Sequence, residues 1–208
     1  GDGRMHRCTA AVHPPITERK PLPGGVLMRR RNSMRYAGYD YTQPGAYFVT
    51  ICAHRGRPIF GVVGNQSMQL NPLGVIAQDA WADLAKQHAH IRVDCSVVMP
   101  NHAHALLWIV ETAVRDGVSV AGQPRRYGQP IAGSVSTLVN AYKMTVTKRA
   151  ISAGLIPGPP LWQRNFWDRI VRDERELANI RQYIAANPAR WIEDQLHPDA
   201  PPNQFNQW

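Results

Sequence analysis

The sequence is short of cysteine, of acid and of long apolar runs, and each shortage argues against a class of protein. Cys8, Cys52 and Cys95 are the only cysteines in 208 residues, an odd number with no Cys-x-x-Cys pair. That speaks against a disulfide framework or a thiolate metal site, and for a reducing compartment. No apolar run reaches the ~20 residues of a membrane span, and no charged-then-apolar signal segment opens the chain. The expectation is a soluble, cytoplasmic protein with no membrane partner. Acidic residues number 15 against 24 Lys and Arg, a formal net charge of +9.

The positive excess is uneven. Residues 1–36 hold Arg4, Arg7, Arg19, Lys20, Arg29, Arg30, Arg31 and Arg35 against Asp2 and Glu18. A basic arm on a globular body suits either a polyanionic partner, most often nucleic acid, or a solubilising tail. Residues 1–28 mix Pro, Gly and charge without an apolar period, so they are expected to be a flexible, basic, Pro-rich arm. Beyond it the length allows one domain, over 29–192, followed by a tail at 193–208.

Periodicity supplies the elements. Ala46 to Ala53 follows Pro44-Gly45 and is rich in β-branched and aromatic residues, as a central strand is. Residues 54–71 are loop-like, with room for a short hairpin. Asn71-Pro72 caps a helix to about Gln87, with Leu73, Ile76, Ala77, Ala80, Trp81 and Leu84 on one stripe. Strands follow over Ile91 to Met99 and His102 to Val110, then a long polar loop over 111–132. Ser134 caps a helix to about Ile151, with Val135, Leu138, Val139, Tyr142 and Val146 on its stripe. Lys143, Lys148 and Arg149 fall off that stripe, on a solvated face or a DNA-contacting one. A fourth strand is expected around Asp168–Arg172. Asp173 and Glu176 form a capping-box-like start to a short helix carrying Leu177, Ile180 and Ile184, which Asn187-Pro188 ends. The order strand, helix, strand, strand, helix, strand is the split βαβ, or ferredoxin-like, α+β arrangement. It has a four-stranded antiparallel sheet with helices on one face, plus a C-terminal helix.

The chemistry centres on His102 and His104. Residues i and i+2 of a strand share a face, roughly 6–7 Å apart. The two rings are therefore either half-buried histidines bonded to neighbours or a pair converging on one ion. On the last helix Tyr183 and Asn187, four apart, share a face. Two imidazoles, a tyrosine and an amide are the parts of a metal-assisted phosphoryl transfer with tyrosine as nucleophile. Tyrosine at pKa ~10 is a poor nucleophile at neutral pH, and no adjacent carboxylate offers itself as a general base. Tyr142 is the fallback nucleophile, but it lies in an apolar stripe and has no Asn or Gln four residues on.

Several ordered blocks carry a family resemblance. Met99-Pro100-Asn101-His102-Ala103-His104-Ala105-Leu106-Leu107 resembles the HUH motif of single-tyrosine (IS200-like) transposases. Arg30-Arg31-Asn32-Ser33, Tyr39-Asp40-Tyr41, Gly45 to Thr50, Trp162 to Arg172 and Tyr183 to Pro188 resemble the REP-associated branch. The resemblance spans roughly residues 30–192. It implies a ferredoxin-like nuclease fold, a divalent ion (Mg²⁺ or Mn²⁺) and nicking of single-stranded DNA at REP-like hairpins through a 5′-phosphotyrosine. Position by position it assigns His102 and His104 to the metal, Tyr183 as nucleophile and Asn187 as third ligand. Ala103 stands where a bulky hydrophobe is usual, a change in packing and not in chemistry.

For DNA contact the first candidates are Arg29, Arg30, Arg31 and Arg35, and the second are Gln163, Arg164 and Asn165. The competing reading is a non-catalytic hairpin DNA- or RNA-binding protein on the same fold. An unrelated metal hydrolase would need carboxylates at the site, whereas the acidic residues are expected at helix starts and exposed faces. The sequence leaves monomer and homodimer open, and with them whether Tyr183 serves histidines of its own chain or a neighbour's.

Overall fold

The computed structural model describes residues 39–111, 114–115, 118–119 and 131–201. The arm lies outside them. Strand β1 runs Gly45–Cys52, and the expected hairpin forms as β2 Gly61–Gly64 and β3 Ser67–Leu70. Helix α1, Pro72–Gln87, starts where Asn71 Oδ1 accepts the Gly74 amide at 2.9 Å. Next come β4 Ile91–Val98 and β5 His102–Ile109, then a two-residue ladder of β6 Val114–Arg115 with β7 Val118–Ser119. That ladder falls inside the stretch read from sequence as loop. Helix α2 is Val135–Ser152, β8 is Trp167–Ile170, and α3 is Glu174–Ala186. A 3₁₀ turn over Pro188–Glu193 follows.

The main sheet has the order β4-β5-β1-β8 with every pairing antiparallel, the ferredoxin-like arrangement expected. Its two faces bury different partners. Tyr47, Val49 and Ile51 of β1 and Ala103, Ala105 and Leu107 of β5 face α1 and α2, where Trp81 and Tyr142 stack with ring centroids 3.7 Å apart. The alternate residues Ala46, Phe48, Leu106 and Trp108 face Leu177, Ile180 and Ile184 of α3. Every residue of β5 is buried because both of its faces are covered.

A bulge in β4 prepares the α3 face. Between Val93 and Cys95 the register with β5 shifts by one residue. Ile91 and Val93 therefore side with α1, and Cys95 and Val97 side with α3. The extra residue, Asp94, is buried and accepts from Trp108 Nε1 at 3.0 Å and from Arg181 of α3 at 3.0 and 2.7 Å. A forked guanidinium on a buried carboxylate fixes orientation as well as position. It pins α3 to the sheet two residues before Tyr183. At the start of α3, Asp173 accepts the Glu176 amide at 2.7 Å, and the Glu176 carboxylate accepts the Arg172 amide and pairs with Arg169.

Candidate active site

His102 and His104 project from β5 to the α3 face, as the two-residue spacing requires. Both are buried, and their Nε2 atoms lie 3.0 Å apart. Each ring is held from behind. His102 Nδ1 meets Asn101 Oδ1 at 2.8 Å, while Asn101 Nδ2 donates to Leu196 O at 2.7 Å and Gly56 O at 3.2 Å. Those two bonds fix the Asn101 amide, so its oxygen accepts from His102 Nδ1–H. In the neutral ring that leaves a bare lone pair on Nε2. His104 Nδ1 meets Thr50 Oγ1 at 2.9 Å, directly across the β1–β5 pairing. Phe48 stacks on the His104 ring and Trp191 lies against His102.

Burial sets the charge of this pair. It holds the His102 pKa down to about 3. Burial first, and then the neighbouring His102, holds His104 well below the usual histidine range. Both imidazoles are therefore neutral at neutral pH, the state in which they bind metal.

Helix α3 brings the tyrosine to them within one chain. Its buried stripe is Leu177, Ile180 and Ile184, and Tyr183 sits at the stripe's border, 44 % exposed. The Tyr183 hydroxyl is 3.3 Å from His104 Nε2. Burial of that hydroxyl, reinforced by the Asp194 carboxylate, raises the phenol above its ordinary pKa. One helical turn on, Asn187 is 3 % exposed, and its Nδ2 donates to Asp194 Oδ2 at 3.1 Å. Its Oδ1 is buried without a hydrogen-bond partner. Rotating the amide would set oxygen against carboxylate, so the bare atom is the oxygen.

The expectation that acidic side chains stay away from the histidines is overturned by Asp194. It is buried, with Oδ2 4.0 Å from His102 Nε2 and 3.5 Å from the Tyr183 hydroxyl. Donor atoms of His102, His104 and Asp194 all fall within 4.8 Å of one another, a group that could hold a metal ion. Adjacent ligands on an octahedral ion with bonds of about 2.1 Å lie about 3 Å apart, which is the spacing of the two Nε2 atoms. With an orphaned amide oxygen beside them, the residues fit a divalent cation. Composition assigns residues from 193 onward to a tail, but Asp194 and Leu196 lie against the site. Nothing in the sequence marks Asp194, which follows an irregular turn with no periodicity.

The residues expected to contact DNA fare differently. Lys143 is a correction: it is not on a solvated face. It is 7 % exposed, and its ammonium donates to Gln163 O at 2.7 Å and Asn165 O at 2.9 Å, with Arg164 O at 3.5 Å. Burial lowers its pKa to about 8. Lysine thus clasps the backbone of the very segment whose side chains are candidates; Arg164 and Asn165 are exposed, and Gln163 is half-buried. Lys148 and Arg149 are exposed on α2, on the opposite side of the sheet from the imidazoles, with Arg149 paired to Asp83 at 2.6 Å. Arg29, Arg30, Arg31 and Arg35 lie outside the described residues. Tyr142 is fully buried and donates to Ala77 O at 3.0 Å, remote from both histidines.

Comparisons with known proteins place the chain among relatives. No family model matches it. An uncharacterized protein of Haemophilus influenzae is 35 % identical over 175 residues, covering 83 % of this chain and 96 % of the relative. The chain belongs to that protein's family. A second Haemophilus influenzae protein, named "Putative REP-associated tyrosine transposase", is 37 % identical over 46 residues, 22 % of this chain and 26 % of the relative. The chain resembles the REP-associated tyrosine transposases, as its motifs indicate. A solved REP-associated tyrosine transposase bound to a REP hairpin superposes with TM-score 0.49 and 18 % identity, over 76 % of this chain and 73 % of the other. A solved protein described as a "putative transposase" from Deinococcus radiodurans R1 superposes with TM-score 0.42 and 21 % identity, over 73 % and 95 %. Among the described residues no helix is long and apolar enough to cross a membrane.

Proposed function

We propose that the protein is a metal-dependent single-stranded DNA endonuclease and strand transferase acting at hairpin-forming sequences. The observation that carries this reading is the approach of the Tyr183 hydroxyl to 3.3 Å from His104 Nε2, beside a second imidazole, inside one chain. His102, His104 and Asn187 would hold a divalent ion, Mg²⁺ or Mn²⁺. When bound it would polarise the scissile phosphate and offset the negative charge of the attack.

Tyr183 supplies the nucleophile. Its oxygen bonds to phosphorus, the P–O3′ bond breaks, and the products are a 5′-phosphotyrosine and a free 3′-hydroxyl. Attack by that or another 3′-hydroxyl reverses the exchange and joins strands. Thr50 and Asn101 fix the two imidazole rings, and the Asp94–Arg181 fork fixes the helix bearing the tyrosine. Phe48 packs edge-on to Tyr183 and limits where the ring can lie. Raised as it is, the phenol must give up its proton to a basic group or water at the site during attack, and the departing 3′ oxygen takes one up to leave as the hydroxyl.

DNA would be gripped by the basic segment at Arg29, Arg30, Arg31 and Arg35 and by the exposed side chains of Arg164 and Asn165. The test mixes the full chain with end-labelled single-stranded oligonucleotides carrying hairpins, in Mn²⁺ or Mg²⁺. A covalent DNA–protein species that needs the metal is expected. Hairpin binding with no covalent species on any oligonucleotide would establish the non-catalytic binder instead.

A further inference from the structure

The ligand set taken from His102, His104 and Asn187 leaves Asp194 without a role. Asp194 is 9 % exposed and turns both oxygens inward. Oδ1 accepts the Leu196 amide at 2.7 Å; Oδ2 accepts from Asn187 Nδ2 at 3.1 Å and faces the Tyr183 hydroxyl at 3.5 Å. Among the described residues, no lysine or arginine forms an ion pair with it. The nearest cationisable group is His102, whose Nε2 stands 4.0 Å from Oδ2 and which is itself one of the candidate ligands. A buried carboxylate without a counter-ion is costly, and the ordinary remedies are a basic side chain or a metal.

The surroundings fit the second remedy. Oδ2 of Asp194 turns the Asn187 amide so that its oxygen is the atom left bare. The same segment reaches the histidines from behind, through Leu196 O, Asn101 and His102 Nδ1. Two imidazoles and an amide oxygen are neutral donors, and imidazole suits transition ions better than magnesium. A carboxylate adds a negative charge and a hard oxygen, and both favour Mn²⁺ or Mg²⁺ over softer ions.

We propose that Asp194 is the anionic ligand of this site, taking a coordination position beside His102, His104 and Asn187. The proposal rests on the metal-dependent reading above and extends it from a neutral donor set to a charged one.

The test titrates the full-length, metal-stripped chain with Mn²⁺, following heat and the electron paramagnetic resonance signal of free Mn²⁺. Wild type, Asp194→Asn and Asp194→Cys are compared. Asn keeps the size and the oxygen that accepts the Leu196 amide while removing the charge. Asp194→Asn is expected to bind Mn²⁺ weaker by about tenfold or more, while circular dichroism in EDTA shows it folded. Asp194→Cys is expected to lose Mn²⁺ and gain Cd²⁺, with a thiolate-to-cadmium ultraviolet band that wild type lacks. A residue that only shapes the fold would not exchange metal preference in this way. Wild-type Mn²⁺ affinity in Asp194→Asn, or a Cys variant with no band and no gain in Cd²⁺, overturns the proposal. If wild type binds Mn²⁺ and forms the DNA adduct while Asp194→Asn is indifferent, this inference alone fails. If wild type binds no divalent ion, the metal-dependent reading fails with it.

Discussion

Tyr142 and Tyr183 are both helical tyrosines packed on one sheet, and they sit on opposite faces. Burial raises the phenol of each above its ordinary pKa. Their company differs. Tyr142 stacks on Trp81, donates to a backbone carbonyl and touches only core. Tyr183 is 44 % exposed and meets the His104 imidazole and the buried Asp194 carboxylate, in a pocket that Asn187 also lines. A tyrosine on a sheet becomes a candidate nucleophile through what its hydroxyl faces and whether a substrate can reach it. Burial and a raised pKa do not distinguish the two.

Substitution should separate them most sharply. Tyr183→Phe is expected to abolish the covalent adduct while leaving folding and hairpin binding intact, read by gel and circular dichroism. Tyr142→Phe should keep the adduct and lose only the hydroxyl's bond to Ala77 O, a carbonyl that α1 already pairs internally, at a cost of about 0.5–1.5 kcal/mol in urea unfolding. Mixing His104→Ala with Tyr183→Phe chains should restore nothing, because the tyrosine reaches its own chain's histidines; recovered adduct would mean shared sites.

Acid should weaken the α3 face before the α1/α2 face. The folded His102 value near 3 lies below the ~6.5 of an unfolded chain. Its contribution is fully present above about 6.5 and is lost as pH falls toward 3, on the order of a few kcal/mol. Metal-free thermal melts should fall over that window, and less steeply in His102→Gln. Equal slopes would remove the buried neutral imidazole from the account.

Lys143→Met tests the clasp on the other side of β1. Removing the ammonium leaves the carbonyls of Gln163 and Asn165 unpaired, a loss of about 2–3 kcal/mol. The salt dependence of DNA binding should not change, since the charge does not face solvent. The smallest expected change is in that dependence itself. For each phosphate that Arg29, Arg30, Arg31 or Arg35 neutralises, removing the arginine should lower the log–log slope by about 0.7 on single strands. An unchanged slope after deleting residues 1–35 would dismiss the arm.

What is legible in the sequence follows from fixed periods. The i, i+2 spacing puts His102 and His104 on one face, and i, i+4 puts Tyr183 and Asn187 together. The same periods, with caps at Asn71, Ser134 and Asp173, set the element order and so the ferredoxin-like sheet. Lys143 is misleading in sequence because its position off an apolar stripe says nothing about carbonyls arriving from residues 163–165. Asp194 is hidden because the 3₁₀ turn after Pro188 has no period from which to project a side chain. The Asp94 bulge is equally hidden, since a one-residue slip shows only against the partner strand.

The central claim is that Tyr183 is the residue joined to DNA, and peptide mapping of the adduct tests it most directly. Full-length protein is reacted with a labelled single-stranded hairpin in Mn²⁺, denatured and cut with trypsin. The account predicts that the label travels with the peptide Gln182–Arg190, which holds Tyr183. Label on the peptide that carries Tyr142, or no labelled peptide at all, would contradict it.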